Sequence, residues 1–271
     1  NVYLDGYAKE ENIRFRDYPI RFESHPPRDN WQQIDLLGYG ELGCDFPAFK
    51  LTVEPGSIKI GETVGVVGPN AIGKTTFVKM LAGVLVPTRG KLERAVKVSY
   101  KPQYISADFD GTVVDLFNSY VKDFFESGFF QSEIAHPLNL KPLLEKNVKT
   151  LSGGELQRVA IALCLSRDAD IYLLDEPSAY LDSNQRMEAA KTIRRTMEKR
   201  GRSAMVVDHD IYFLDMVSDS IMVFDGRPGF EGHGKGPFDM RQGMNMFLQR
   251  VDITFRRDND TNRPRINKPG S

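Results

Sequence analysis

The sequence predicts an α/β fold with a largely parallel sheet, and three observations support that prediction. Strand-like apolar runs alternate with helical patterns over residues 151–225, as in chains whose helices cross between parallel strands. The β-branched run ETVGVVG leads into a glycine loop and then a helix, which is typical of a buried strand in such a sheet. A mostly helical stretch, 112–148, differs from the strands around it and indicates an inserted helical subdomain.

The chain before the glycine loop is predicted to be rich in strands. Apolar and charged residues alternate in 11–23, which favours two short half-buried strands around a turn. Paired prolines in 24–30 cannot continue a helix or a central strand, so we expect a linker there. Strand-like patterns then run from Trp31 to the glycine loop, where we expect a small antiparallel β part.

Beyond the glycine loop, helices and strands are predicted in alternation. Apolar residues at three- and four-residue spacing predict a helix over about 73–84 and another at the start of the inserted stretch. The two stripes are Phe77, Met80, Leu81 and Val84, and Val113, Leu116, Phe117 and Val121. The other expected elements are strands at 92–100, 170–176, 203–208 and 220–225, helices at 153–166, 184–200, 211–217 and 239–250, and a glycine-rich loop at 226–238.

Composition and charge narrow the class of protein. The 271 residues are 41% hydrophobic and 27% charged, which is ordinary for a globular protein with a sizeable core. The formal net charge of -1 gives the chain as a whole no electrostatic reason to bind nucleic acid. The tail, 251–271, offers a local basic patch, which we interpret as a solvated surface or a segment that a partner orders. It contains Arg256, Arg257, Arg263, Arg265 and Lys268, diluted by Asp258 and Asp260.

The two cysteines and the hydropathy pattern indicate the cellular setting. Cys44 and Cys164 are far apart in the sequence, so neither a disulfide framework nor a zinc or iron–sulfur site is expected. We expect a reducing, cytoplasmic environment and no membrane partner, because no apolar run is long enough to span a bilayer and no signal peptide precedes the domain. Since residue 1 is Asn rather than Met, we interpret the sequence as a fragment or a processed chain.

The stretch GPNAIGKTT, 68–76, matches the phosphate-loop pattern G-x-x-x-x-G-K-[ST]. It follows an apolar strand and begins a helix, so successive backbone N–H groups and the helix dipole would form a cradle for phosphates. Lys74 would reach the β and γ phosphates, and the Thr75 hydroxyl would bind Mg²⁺. The predicted phosphate-binding residues are Gly68, Pro69, Asn70, Ala71, Gly73, Lys74, Thr75 and Thr76.

A second motif, IYLLDEP, places two carboxylates at the end of a hydrophobic strand. Ligands bind at the carboxyl ends of the strands in α/β sheets. We expect Asp175 to hold Mg²⁺, directly or through water, and Glu176 to polarise the attacking water as a general base. An acidic pair in this position is by itself often a solvated loop, but the phosphate loop upstream favours the catalytic interpretation.

Taken in order, GPNAIGKTT, LSGGELQ, YLLDEP, SAYLD and VDHD resemble the nucleotide-binding domain of ATP-binding-cassette proteins over about 31–225. The resemblance implies a P-loop NTPase core with an inserted helical subdomain at about 104–165. It implies that Gln103 senses Mg²⁺ and the γ phosphate and that His209 hydrogen-bonds the γ phosphate. Asp208 departs from the family pattern, in which Glu is commoner at this position. Tyr39 is the expected adenine-stacking aromatic, with Phe46 and Phe49 as alternatives.

The signature LSGGELQ raises the question of why one domain needs a second phosphate-facing glycine turn. We expect the turn to face away from this chain's own nucleotide and to offer a helix N-terminus to a phosphate held elsewhere. In the family that phosphate belongs to the facing cassette, so each ATP lies between two subunits. The residues expected to act across this interface are Ser152, Gly153, Gly154 and Glu155 in the signature and Asp182 in the loop that crosses to the opposite subunit.

A closer resemblance covers nearly the whole chain. DEPSAYLDSNQR, GMNMFL, ITFRRD and RPRINK are similar to the C-terminal half of the twin-cassette ribosome-recycling ATPases, the RNase L inhibitor family. This implies a hinge segment from the preceding cassette at 1–30, a nucleotide-binding domain at 31–250 and a hinge tail at 251–271. It also implies ATP and Mg²⁺ as cofactors and the upstream cassette, the small ribosomal subunit and a release factor as partners, with rRNA contact by the tail as a weaker expectation.

Two other functions remain open on these residues. A transporter motor subunit would use the same ATP site, and such subunits are often separate chains without membrane segments. The tail argues against it, because FRRD and RPRINK have no place in the transporter resemblance. A nucleotide-gated scaffold without catalysis would have no need of Glu176.

Overall fold

The computed structural model describes residues 34–93, 95–103 and 107–249, together with the backbone of short strands at 7–8, 13–14, 254–257 and 264–267. Before the glycine loop it contains β1 (Tyr7–Ala8), β2 (Ile13–Arg14), β3 (Asp35–Tyr39), β4 (Leu42–Asp45), β5 (Lys50–Val53), β6 (Gly56–Lys59) and β7 (Thr63–Val67). The glycine loop leads into α1 (Lys74–Leu81), which is followed by β8 (Val98–Lys101) and α2 (Val113–Phe125).

The second half alternates between helices and strands as far as β11 (Ser220–Arg227). Its elements are α3 (Gly153–Ser166), β9 (Ile171–Asp175), α4 (Ser183–Arg200), β10 (Ser203–Val207), α5 (Ile211–Val217), β11 (Ser220–Arg227), β12 (Glu231–Asp239), α6 (Met240–Leu248), β13 (Thr254–Arg257) and β14 (Pro264–Asn267). The helices in the described part of the chain are all too short or too polar to cross a membrane.

The main sheet of the described residues has the strand order β4-β5-β12-β11-β7-β10-β9-β8. Its five strands from β11 to β8 are parallel to one another. On the other side, β4 and β5 pair antiparallel, and β12 joins β11 antiparallel. Strands β3 and β6 form a separate antiparallel pair. The predicted parallel core with a smaller antiparallel part is therefore confirmed.

Helices cover both faces of the parallel strands. Every residue of β7, β9 and β10 is buried, as expected for strands enclosed on two sides. Leu173 of β9 packs into the cluster that contains Phe77 of α1. Its neighbour Leu174 points to the opposite face, into the cluster that contains residues of α2 to α6. Burial of each such leucine contributes about 1.5–3 kcal/mol, so the strand ends lie on a well-packed support.

Helix α1 is shorter than the sequence predicts. Phe77, Met80 and Leu81 are buried as expected, but Val84 is 66% exposed. The helix ends at Leu81, and Gly83 adopts a φ of 69°, which a residue with a side chain rarely adopts. The prediction that Val84 belongs to the buried stripe is therefore wrong.

The inserted helical stretch is less regular than one long helix. Helix α2 begins at Thr112, whose side chain accepts a hydrogen bond from the Asp115 N–H in a capping box. Its backbone is non-helical at Val121, with φ -148° and ψ 35°, so this predicted stripe residue lies at a kink. A π-helical turn at Phe130–Ala135 and two 3-10 turns follow.

The prediction of a glycine-rich loop at 226–238 is wrong, because β12 occupies Glu231–Asp239 and pairs with β11. Its glycines are sites of close packing. A Cβ atom on Gly232 would overlap the carbonyl oxygen of Ile72, and one on Gly234 would lie 2.7 Å from the ring of Phe224. Glycine usually argues against a strand, but here it lets the strand approach its neighbours.

Some sequence predictions fall largely outside the described residues. Strands β1 and β2 form a short antiparallel pair within 1–30, whereas the linker at 24–30 is not described. By contrast, the predicted strand at 92–100 is described apart from residue 94 and is shorter than predicted, because only Val98–Tyr100 of it belong to β8. In the tail, β13 and β14 pair antiparallel, and the side chains of its basic residues lie outside the description.

Candidate active site

The four strand ends that bear the motifs lie side by side at one edge of the sheet. Asp175 at the end of β9 is in register with Val207 of β10, which in turn is in register with Val66 of β7. Lys101 of β8 is in register with Leu174. The sheet therefore brings the phosphate loop, the acidic pair, His209 and Gln103 to the same edge, as parallel pairing requires.

The phosphate loop has the backbone conformation of an anion cradle. Ala71 and Gly73 have φ values of 57° and 96°, and Gly73 precedes α1 without any side chain capping the helix. Uncapped N–H groups at a helix start are available to an anionic ligand. Pro69, Asn70 and Ala71 are exposed at the crest of the loop, and Thr75 and Thr76 are half-buried in the first turn of α1.

Lys74 lies under this loop. Its Nζ donates hydrogen bonds to the carbonyl oxygens of Gly68, at 2.8 Å, and Pro69, at 2.6 Å. Burial lowers the pKa of its ammonium group, and the nearby carboxylates of Glu176 and Asp175 oppose that fall. The ammonium group is thus held between the loop and the acidic pair, where a phosphate chain on the loop would meet it.

Asp175 is a buried carboxylate whose oxygens are left unsatisfied by the described residues. It is 0% exposed, and neither of its oxygens has a hydrogen-bond partner within the described residues. Burial raises its pKa above the ordinary value, and the Thr75 hydroxyl close to it opposes that rise. A carboxylate orphaned beside a hydroxyl is the donor set that Mg²⁺ uses next to nucleotide phosphates. Since the described residues contain no group of three or more potential His, Cys, Asp or Glu ligands, phosphates and water would complete the coordination.

Glu176 and His209 are in contact. His209 Nε2 lies 3.0 Å from Glu176 Oε1. The His209 side chain is 43% exposed and the Glu176 side chain is 23% exposed. A hydrogen bond across this distance requires the proton on Nε2 when Glu176 is ionised. The imidazole can therefore orient the carboxylate at an edge that solvent reaches.

The Asp208 side chain holds the backbone around His209 in place. Its carboxylate accepts hydrogen bonds from the N–H groups of Ser178, His209 and Asp210 and from the Ser178 hydroxyl, at 2.7 to 3.0 Å. It is 3% exposed, and burial raises its pKa despite these bonds. Asp208 thus fixes the His209 loop to the segment that follows Glu176.

The signature turn begins α3 with a capping box. The Ser152 hydroxyl accepts from the Glu155 N–H at 3.4 Å, and Glu155 accepts from the Ser152 N–H at 2.9 Å. A hydrogen bond from Lys146, followed by that from Ser152, holds the pKa of Glu155 down to about 2. Ser152 and Gly153 are exposed, so the turn is open to a ligand from outside the domain.

The loop before α4 packs on this turn. A Cβ atom on Gly154 would lie 2.8 Å from the carbonyl oxygen of Tyr180, so a side chain there would displace the loop. Asp182 is exposed and caps α4 by accepting from the Gln185 N–H at 2.8 Å. Gln103 is half-buried two residues beyond β8. Asp182 therefore lies beside the signature, and Gln103 lies at the edge that holds Asp175.

The structure contradicts the expectation that Tyr39 stacks on adenine. Tyr39 is 2% exposed, and its ring packs edge-on against Phe77 at a centroid distance of 5.6 Å. A ring within the core cannot offer its face to a base. Of the alternatives, Phe46 is 43% exposed. The ring of Phe49 packs close to Gly73, where an added Cβ atom would lie 3.0 Å from it.

Lys101 and Gln157 were not predicted as site residues. Lys101 Nζ donates to the carbonyl oxygen of Asp175 at 2.7 Å, and Gln157 Nε2 donates to that of Glu176 at 2.7 Å. Burial lowers the pKa of Lys101 to about 8. The available signals were the position of Lys101, two residues before Gln103, and the presence of Gln157 in the signature LSGGELQ. No local pattern indicates that either side chain contacts the backbone of the acidic pair.

The fold and this edge define a nucleotide-binding P-loop domain, and comparison with known proteins places it more narrowly. A model of the ABC transporter family matches residues 55–179. The chain is 41% identical over 170 residues to ABC transporter E family member 3 of Arabidopsis thaliana, with 60% of this chain and 94% of that protein covered. The chain therefore belongs to the ATP-binding-cassette family and, within it, to the E family.

Two longer matches extend over essentially all of the chain. It is 40% identical over 271 residues to the translation initiation factor RLI1 of Saccharomyces cerevisiae, covering 99% of the chain and 45% of that protein. It also matches the archaeal ribosome recycling factor aABCE1 in a crystal structure of its complex with the ribosomal stalk protein aP1. The TM-score is 0.94 and the sequence identity is 54%, and the match covers 100% of this chain and 52% of that one. The chain spans about half the length of these relatives. A zinc import ATP-binding protein, ZnuC of Chelativorans sp., is 30% identical over 63% of the chain and 60% of its own length.

Proposed function

We propose that the chain is an ATP-binding and ATP-hydrolysing cassette that closes on a second cassette to split ribosomal subunits, with a part in translation termination and initiation. The observation that supports this most directly is the extent of similarity. Relatives named for translation initiation and ribosome recycling match essentially the whole chain, tail included. The transport protein matches 63% of it, so the transporter motor is the less favoured function.

The nucleotide binds at the edge formed by the phosphate loop. The backbone of Gly68–Thr76 holds the phosphates, and Lys74 neutralises the β and γ phosphates from below the loop. Because Tyr39 is buried and Phe46 is exposed, Phe46 takes the adenine-stacking role. Thr75, Asp175 and Gln103 would hold Mg²⁺, which would supply charge neutralisation at the transferred phosphate.

Hydrolysis uses the two side chains that are in contact beyond β9 and β10. Glu176 accepts the proton of the attacking water as general base. His209 holds the Glu176 carboxylate through Nε2, 3.0 Å away, and reaches the γ phosphate when nucleotide is bound. The position of both residues at a partly exposed edge supports a site that a facing surface completes.

The partner is a second cassette in the upstream half of the same protein. Ser152, Gly153, Gly154 and Glu155 contact the nucleotide of that cassette, and Asp182 lies in the loop that crosses toward it. The exposure of Ser152, Gly153 and Asp182 supports this assignment. The assembly works in the cytoplasm on the small ribosomal subunit together with a release factor, and the basic tail serves the hinge, with rRNA as its alternative contact.

The function is tested by co-sedimentation of the full-length protein with small ribosomal subunits. We expect binding with a non-hydrolysable ATP analogue and release with ADP, because closure of the cassettes requires the γ phosphate. Lys74→Met removes the ammonium group under the loop and serves as the control, with binding no longer dependent on nucleotide. If the unsubstituted protein binds equally with the analogue and with ADP, or not at all, ribosome splitting is the wrong function.

A further inference from the structure

The backbone of Glu176 has a conformation that its neighbours must hold in place. Its φ is 48°, in the left-handed region that a residue with a long side chain rarely adopts. This turn directs the carboxylate toward His209 rather than along the strand. A residue with a common backbone conformation here would place the carboxylate elsewhere, so the position of the proposed base depends on what fixes this peptide.

All the backbone polar groups of Glu176 are hydrogen-bonded. Its N–H donates to the carbonyl oxygen of Val207 at 2.7 Å. Its own carbonyl oxygen accepts from Gln157 Nε2 at 2.7 Å, from the Ala179 N–H at 3.3 Å and from Lys101 Nζ at 3.4 Å. Two side chains from different elements therefore converge on a single peptide oxygen next to the site.

Lys101 and Gln157 are built into the core rather than into the nucleotide site. Lys101 is 2% exposed at the end of β8, and its ammonium group also bonds the carbonyl oxygen of Asp175 at 2.7 Å. Gln157 is 1% exposed and lies on α3, five residues after Ser152. Helix α3 therefore begins at the signature turn and contacts the Glu176 backbone one turn later.

We propose that Lys101 and Gln157 are positioning residues that hold the left-handed backbone of Glu176, and that Gln157 thereby links the signature helix to the hydrolysis step of this chain's own ATP. The inference rests on the proposed role of Glu176 as general base. Loss of either side-chain bond loosens the peptide of Glu176, which the longer bond from the Ala179 N–H does not hold alone, and lets the carboxylate move away from the water. A misplacement of about 1 Å in a catalytic group lowers the rate by roughly 100-fold.

The link gives the signature turn a second effect. A partner nucleotide that binds Ser152 and the amides of the turn acts on the start of α3, and Gln157 lies about one helical turn from that start. A shift of the turn therefore reaches Gln157. Gln157 passes that displacement to the Glu176 carbonyl oxygen. Engagement of one ATP site is thus communicated to the base of the other through the hydrogen bond from Gln157, the shortest of those to this oxygen.

The test uses Gln157→Met in the full-length protein, since methionine has nearly the shape of glutamine but no N–H donor. We expect kcat for ATP hydrolysis to fall by about 10- to 100-fold, with KM and ATP affinity within about twofold, because the phosphate loop is untouched. Lys101→Met is expected to act in the same direction. Ser99→Ala is the matched control and should leave kcat unchanged. Ser99 lies on the same strand as Lys101, and the substitution removes a buried hydroxyl that donates to the Cys164 carbonyl oxygen at 2.8 Å.

A double-mutant cycle separates positioning from general stability. In a Glu176→Gln background, Gln157→Met should add no further loss of turnover, because the base through which it acts is already removed. An equal loss in both backgrounds, or no loss of kcat in the single variant, would overturn the link. Unchanged turnover in Glu176→Gln alone would instead refute the base assignment on which the link rests.

Discussion

Replacement of Glu176 by glutamine is expected to slow ATP hydrolysis by about 10²–10⁴-fold while ATP binding is retained. Glutamine keeps the size of the side chain and can still contact His209 Nε2, which lies 3.0 Å from Oε1, but it cannot accept the proton of the attacking water. Phosphate release under single-turnover conditions and equilibrium ATP binding, measured on the same preparation, give the two quantities.

Glu198→Gln provides the control for this loss of charge. Glu198 pairs with Arg194 at 2.9 Å near the end of α4, away from the edge that holds the site. Turnover should therefore match that of the unsubstituted protein. If Glu176→Gln hydrolyses ATP at the normal rate, another group activates the water.

Asp175→Asn is expected to abolish the Mg²⁺-dependent part of ATP affinity and to lower hydrolysis by about 100-fold or more. Both carboxylate oxygens of Asp175 are buried and without hydrogen-bond partners in the described residues. A bound cation would therefore be the group that compensates the negative charge of this carboxylate. An ATP titration with and without Mg²⁺ measures the change.

The same substitution should not weaken the fold. Because burial raises the pKa of Asp175, its ionised form is disfavoured in the folded state, and that cost is present above the ordinary pKa of an aspartate. Asparagine removes the cost, so the melting temperature without nucleotide should stay the same or rise near neutral pH. An unaltered Mg²⁺ dependence of ATP binding would show that the cation does not use Asp175.

The parts of the site that could be predicted from sequence are those whose geometry is local. A strand, a glycine loop and a helix follow one another in 63–81, so the order of residue types alone identified Lys74 and Thr75. Asp175 ends a continuous apolar run, and parallel pairing fixes the edge at which it lies. The positions of Lys74, Thr75 and Asp175 do not depend on which side chains meet across the core.

The parts that could not be predicted depend on contacts between distant segments. Tyr39 has the right distance from the phosphate loop, but its ring packs against Phe77, and nothing in the local sequence says which way an aromatic on a short strand will point. Gly232 looked like part of a loop, whereas close approach to Ile72 requires glycine in a strand. Gln157 meets Glu176 only because α3 packs beside the end of β9.

We expect this chain to bind ATP by itself but to need the signature turn of another cassette to hydrolyse it. The most direct measurement compares Mg²⁺-dependent ATP binding and hydrolysis by the 271-residue chain, at concentrations where it is monomeric, with those of the full-length protein. We predict similar ATP binding in both, with hydrolysis near background in the isolated chain and at least about 100-fold faster in the full-length protein. Equal hydrolysis by the monomeric chain would contradict this expectation.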